Sequence, residues 1–280
     1  MPDYVFATAT VTPDVEVTTS VMMQALAAML DPFSTNRIKA EGIREDARCL
    51  VLGVGASQIA SRLADLAPNG VVFATDIDHA HAIHDERVRL LTHYLGGQPL
   101  PAGPWDVIHA RLILNHLTDR DTHLAELADA LNTDGILVVE EFTGTWNTSV
   151  LAAPALTNHH TDQDAGELGW AEANRLYSAY HHAFQDVLIA AGLDLSWSRR
   201  VHTGMLSLGL QVDTVPHCQT WSGNSPGTRL PWASAELLRD KLVAHGMPPA
   251  DIDAFRSLLS NPDLRVLGNT VLSTIGRRTC

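Results

Sequence analysis

The sequence predicts an α/β fold built on a parallel, doubly wound sheet. Three observations predict it. Short continuous apolar runs, CLVLG over 49–53, VVFATD over 71–76 and ILVVE over 136–140, read as strands buried on both faces. Segments of helical apolar periodicity alternate with these runs, and parallel neighbours need such crossovers. A glycine turn, Gly53-Val54-Gly55, joins the first run to the helix that follows it.

Taken in order, Val17–Leu30 has helical periodicity and Asp31-Pro32 is expected to end it. Thr35–Glu41 reads as a second short helix closed by Gly42. Cys49–Gly53 is the first strand. Ser57–Leu66 is a helix with Ile59, Ala60, Leu63 and Leu66 on its apolar face, and Asn69-Gly70 makes a turn. Val71–Asp76 is the second strand, Ala80–Arg87 suits a helix, and Val88–Thr92 reads as a third strand. Trp105–His109 is the fourth. Asp119–Leu131 is a helix ended by a turn over Asn132–Gly135, and Ile136–Glu140 is the fifth strand. Trp170–Leu193 is a longer helix, with Leu176, Tyr180, Phe184, Val187 and Leu188 along one face. Ser234–His245 and Pro249–Leu259 are amphipathic helices that would cover the sheet or form a homodimer surface. The domain reading is a helical cap over 1–45, a core over 46–160 and 194–280, and a helical lid insertion over 161–193.

Composition narrows the function classes. The chain has 280 residues, 45% of them apolar, which is a globular profile. The N-terminal stretch lacks the basic region of a secretory signal, and no apolar run reaches the 18 or so residues of a membrane span. The net charge of −13 disfavours a phosphate backbone, so neither nucleic acid nor membrane is expected as a partner. Three widely spaced cysteines suggest reduced thiols in a cytoplasm.

Open parallel sheets bind ligands beyond the carboxyl ends of their strands. That rule selects Gly53–Ser57, Asp76–Asp78, His109–His116 and Glu140–Trp146. Two glycines let the backbone turn tightly and approach a ligand, and the next helix offers free N–H groups. Gln58 stands where a dinucleotide fingerprint wants its third glycine, which argues against a pyrophosphate. Asp76, 21 residues after Gly55, ends the second strand where a carboxylate can accept both ribose hydroxyls.

The stretch CLVLGVGASQIASRLADLAPNGVVFATDID resembles motifs I and II of class I S-adenosylmethionine-dependent methyltransferases. WDVIHARLILNHLTDRDTHLAELADALNTDGILVVEEF resembles their fourth and fifth strands with the intervening helix. VLGNTVLSTIGRR is similar to the closing strand of a bacterial small-molecule, natural-product subgroup. The resemblance implies a Rossmann-like seven-stranded sheet with its last strand antiparallel, inserted between the fifth and sixth. Gln211–Gln219 and Val266–Gly276 would supply the sixth and seventh strands. It also implies S-adenosyl-L-methionine as cofactor. Gly53, Val54, Gly55 and Ser57 would meet its methionine part, and Asp76 with Ile77 its ribose side. His93 and Tyr94 would flank the adenine, and His109, Ala110 and Arg111 would line the floor. The subgroup often carries Asp where Tyr94 stands, so Tyr94 would stack on the adenine instead, or His93 would donate a hydrogen bond.

Methyl transfer is an in-line displacement that chiefly needs alignment, with a base when the acceptor is a hydroxyl. His116, beyond the fourth strand, and His181, on the expected lid helix with Tyr177, Tyr180 and His182, are the candidate bases, and Glu140 and Glu141 are rivals. Trp146, Tyr177, Tyr180, His217 and Trp221 are candidate substrate contacts, and the loop His217–Arg229, with Trp221 and Ser225-Pro226-Gly227, is a candidate wall of the site. His159-His160 with Asp162 and Asp164 would suit a cation, but a solvated polar loop is the simpler reading, and no metal is expected. The function expected is methylation of an O or N atom on a small molecule or modified peptide in secondary metabolism. A cofactor-assisted rearrangement or cyclisation, and a non-catalytic binding module, are the alternatives.

Overall fold

The computed structural model describes residues 6, 12–144, 149–154 and 162–279. In chain order the elements begin with α1 (Pro13–Ala40), β1 (Arg48–Leu52), α2 (Ile59–Leu66), β2 (Val71–Asp76) and β3 (Val88–Thr92). Then come β4 (Trp105–Arg111), α3 (Arg120–Asp129), β5 (Leu131–Phe142), β6 (Val150–Ala152), α4 (Asp162–Ala190) and α5 (Val201–Ser207). The chain closes with β7 (Gln211–His217), β8 (Thr220–Ser222), α6 (Pro226–Leu237), α7 (Arg239–Ala244), α8 (Pro249–Leu259), β9 (Arg265–Leu267) and β10 (Val271–Arg277). These elements fall into two compact units. One holds 1–26, 144–191 and 218–270, and the other holds 27–143, 192–217 and 271–280.

The second of these units contains a seven-stranded sheet in the order β3-β2-β1-β4-β5-β10-β7. Neighbours from β3 to β5 are parallel, and β10 runs antiparallel between β5 and β7. This is the expected class I sheet. Both faces of its central strands are covered, which is why their sequences are apolar without alternation. Leu50 and Leu52 of β1 join Ile108, Leu127, Trp197 and Met205 in one core cluster. Cys49 and Val51 join Ile38, Ile59, Leu63 and Val138 in the other. Burying each such aliphatic side chain contributes about 1.5–3 kcal/mol. Burial also pushes the Cys49 thiol up to about 12, with the Asp106 charge adding to it, so this cysteine is inert.

Five local expectations are corrected. Asp31-Pro32 does not end a helix, because α1 continues through Pro32. A proline inside a helix costs about 3 kcal/mol, but Asp31 and Ser34 on either side of it are bonded, Asp31 to Ser57, Gln58 and Arg111 and Ser34 to Glu140. Ala80–Arg87 is not helical. There the Asp78 carboxylate accepts from Ala80 N–H at 3.0 Å and Asp85 from Arg87 N–H at 3.0 Å, and such side-chain bonds compete with the helix ladder. The turn at Asn132–Gly135 lies within the irregular start of β5. Leu131 pairs with Trp105, the register then shifts, and the turn is tied to the chain end through Asp134 N–H to Arg278 O at 2.9 Å. The run Val266–Gly276 is two strands, β9 and β10, in different sheets. Finally, the loop foreseen over His217–Arg229 contains β8 and the start of α6. Ser225 and Thr228 form a capping box, and Pro226 stands in the first turn.

The other unit packs α4, α6, α7 and α8 with a small antiparallel sheet, β6-β9-β8. The aromatic face of α4 is buried here. Tyr180 stacks on Phe255 at 4.5 Å and on Phe184 at 5.3 Å, and Tyr177 meets Phe255 edge-on at 5.0 Å.

Candidate functional site

The glycine turn forms as its sequence requires. Gly53 has φ +67° and Gly55 φ +47°, in the left-handed region that favours glycine. A Cβ on Gly53 would lie 2.1 Å from the terminal methyl of Ile113, so the turn also passes close to the segment after β4. Val54 is buried, and its N–H donates to Thr75 O of β2 at 3.0 Å. Gly55 N–H donates to Asp76 Oδ2 at 2.9 Å. Asp76 Oδ1 accepts from Ile77 N–H at 2.8 Å. The ends of β1 and β2 are thereby joined through one carboxylate, which keeps lone pairs for further donors. Ile77 beside it leaves an apolar side chain exposed.

His93 and Tyr94 follow β3. His93 is buried with its Nε2 3.0 Å from Pro99 O, while its Nδ1 is buried without a hydrogen-bond partner. Tyr94 N–H donates to Gln98 Oε1 at 2.9 Å, and its ring lies over Gly97, where a Cβ would come within 2.2 Å of it.

A polar network occupies one face of the sheet at the ends of β4 and β5. Strand alternation places His109 and Arg111 on the same face, and the register sets Arg111 beside Glu140 and Glu140 beside Ser273. Ala110 points to the other face, fully buried in its apolar cluster. His109 Nε2 lies 3.3 Å from Glu140 Oε2, and both residues are buried. Ser34 of α1 hydrogen-bonds the same carboxylate oxygen. Arg111 donates to Ser34 Oγ at 3.1 Å and to Asp31 Oδ1 at 2.6 Å. Asp31 also accepts from Ser57 Oγ at 2.8 Å and from Gln58 N–H at 2.7 Å. Burial would push the Glu140 carboxyl up, but the hydrogen bond and charge of His109, with Arg111 and Ser34, pull it down to about 2. Sequence reasoning missed Asp31 and Ser34 because Asp31-Pro32 was read as a helix end. Period-2 alternation along VIHAR and VVEE was the signal that could have grouped His109, Arg111 and Glu140.

Glu141 faces the opposite way. Its carboxylate accepts from Asn115 N–H at 3.2 Å, and the backbone of Ile113 and Leu114 also bonds it. Burial outweighs these bonds and pushes it up to about 8. His116 ends a single turn of 3-10 helix, Leu114–His116, and burial, then the Arg120 charge, push its imidazole down to about 4. His217, at the end of β7, stacks on Phe33 of α1 at 4.1 Å. Burial lowers its pKa, partly opposed by the Glu140 charge and a bond to the Met29 backbone.

Gly53, Val54, Gly55, Ser57, Asp76, Ile77, His93, Tyr94, His109, Ala110, Arg111, His116 and His217 thus lie in the sheet unit. His181, Tyr177, Tyr180 and Trp221 lie in the other. There burial, then His182, push His181 down to about 4. Trp221 packs between Gly227 and Gly268, where added Cβ atoms would meet its ring at 2.1 and 2.6 Å. Trp146, and the His159-His160 pair, lie outside the described residues. Among the described residues no group of three or more His, Cys, Asp or Glu could hold a metal ion, and no helix is long and apolar enough to cross a membrane.

Residues 50–139 match the family model described as methyltransferase domain. No curated protein matches the chain. Among solved structures, a candidate methyltransferase from Bacillus halodurans C-125 is 10% identical, with 87% of this chain and 97% of that chain covered and a TM-score of 0.51. A candidate methyltransferase from an antibiotic biosynthesis pathway of Anabaena variabilis is 14% identical over 88% of this chain and 98% of that one, with a TM-score of 0.50. The crystal structure of a Bacillus subtilis protein is 16% identical over 87% and 97%, also at 0.50. These are likenesses of fold, and the fold is that of class I methyltransferases.

Proposed function

We propose that this chain is an S-adenosylmethionine-dependent methyltransferase that methylates an O or N atom of a small molecule or modified peptide in cytoplasmic secondary metabolism. The observation that carries the reading is the Gly55 N–H bond to Asp76, which joins a left-handed glycine turn to a carboxylate at adjacent strand ends. The residues fit the cofactor. Gly53 and Gly55 give close backbone approach to its methionine part. Asp76 has lone pairs left for ribose hydroxyls, and exposed Ile77 offers an apolar surface for the adenine, with His93 and Tyr94 just past the end of β3. When bound, the cofactor supplies an electrophilic methyl group on a sulfonium.

The chain's own part is alignment and charge. Asp31, Asp76 and Glu140 outnumber Arg111 at this edge of the sheet, so the local field favours a cation. His116, neutral near pH 7, is the base we assign for a hydroxyl acceptor, with His181 as its rival. His217, in the sheet unit, belongs to the same proposal as an acceptor contact, whereas Tyr177, Tyr180 and Trp221 pack within the other unit and are not carried into it.

Calorimetric titration with S-adenosylhomocysteine tests the cofactor assignment. Wild type should bind it, and Asp76→Ala should weaken binding roughly 10- to 100-fold, the worth of charge-assisted hydrogen bonds. No binding by the wild-type protein, or equal binding by the variant, sinks the assignment.

A further inference from the structure

We propose that Asp31 is a positioning residue, and that with Arg111 it latches the glycine turn to α1. The inference rests on the cofactor reading above for its functional consequence, but not for its geometry. One Asp31 carboxylate oxygen accepts from Ser57 Oγ at 2.8 Å and from Arg111 Nη2 at 2.6 Å. The other accepts from Gln58 N–H at 2.7 Å. Ser57 Oγ in turn receives Ile59 N–H at 3.1 Å, the first residue of α2. One carboxylate therefore satisfies the start of α2 and fixes the last residues of the turn, a capping role supplied from a distant segment. The cap residue itself, Gln58, makes no side-chain capping bond.

Arg111 completes the device. Its guanidinium spans Asp31 and Ser34, so it reads two successive inward positions of α1 from the end of β4. The Asp31 and Arg111 side chains are only 12% and 8% exposed, so water screens the pair weakly. The arrangement makes the shape of Gly53–Ser57 depend on α1. It also accounts for a helix that runs through Pro32 with its bonded residues on both sides of the proline.

The test uses hydrogen exchange and S-adenosylhomocysteine titration on the full chain. A control variant, Arg37→Gln, breaks the 2.8 Å ion pair that joins α1 to Asp213 of β7, away from the turn. Asp31→Asn should raise exchange over 53–60 tenfold or more while the central strands stay protected, and should weaken cofactor-product binding tenfold. Arg111→Lys should show a smaller change of the same kind. Arg37→Gln should lower the melting temperature without either effect. Unchanged exchange over 53–60 in Asp31→Asn, or a rise spread evenly over the sheet, overturns the latch. A local rise with unchanged product affinity overturns its link to the cofactor. Should wild type bind no S-adenosylhomocysteine, a local rise still supports the latch, and the cofactor reading alone fails.

Discussion

The two faces of the sheet at the end of β5 carry adjacent carboxylates with opposite fates. Glu140 and Glu141 are both buried. Glu140 faces His109, Arg111 and Ser34 and is pulled down to about 2. Glu141 faces the backbone N–H groups after β4, with Arg120 at greater remove, and is pushed up to about 8. Burial alone would raise both. The difference teaches that cationic and hydroxyl partners, not depth, decide which carboxylate keeps its charge. The charged one stands on the face that also carries Asp31 and the glycine turn.

Removing Glu140 should do the most damage. Glu140→Ala leaves His109 and Ser34 facing a cavity and deprives Arg111 of a nearby negative charge. Breaking a buried charge network costs roughly 3–5 kcal/mol. Urea unfolding should report a loss in that range, with the slope unchanged. A loss below about 1 kcal/mol would show that Glu140 is not held as an ion, and the contrast between the faces would collapse.

The pH dependence of stability sharpens the contrast through opposite signs. Glu140 titrates lower in the folded chain than its ordinary 4.5, so its contribution is present above pH 4.5 and is lost as pH falls toward 2. Glu141 titrates higher, so its contribution is full below pH 4.5 and is lost as pH rises through about 8. Each limb should be worth on the order of a few kcal/mol. Glu140→Gln should flatten the acid limb below pH 4.5 and Glu141→Gln the decline as pH rises toward 8, each followed by thermal melts across its own range. If either variant leaves its own limb intact, the charge assignment on that face is wrong.

Much of this face was legible in the sequence, and the reason is local. CLVLG, VVFATD and VVEEF are runs whose both faces are buried, and Gly53, Gly55 and Asp76 sit at fixed offsets from them. Such features depend on the residues beside them. Asp31 was misread because its role is set by Ser57, Gln58 and Arg111, which are 26, 27 and 80 residues away. Likewise the split of Val266–Gly276 follows from pairing with β6 and β8 on one side and β5 and β7 on the other. Ala80–Arg87 failed for a local reason, the competing bonds of Asp78 and Asp85.

The smallest effect expected is that of Glu141→Gln near pH 4. At that pH a carboxyl titrating at about 8 is protonated in the folded chain, and at its ordinary 4.5 it is largely protonated in the unfolded chain as well. Glutamine has the same shape and keeps a carbonyl oxygen for the Asn115 N–H. The amide adds one donor that the acid does not have, and Arg120 loses no formal charge partner, because none is ionised there. The change should therefore lie within about 1 kcal/mol, the scale of one neutral hydrogen bond. Near pH 9 the wild type must hold a buried anion and the variant need not, so Glu141→Gln should become the more stable of the two. Unfolding free energies measured at both pH values decide it: a variant that is several kcal/mol weaker at pH 4 would mean that Glu141 is ionised, and that the two faces hold their carboxylates alike.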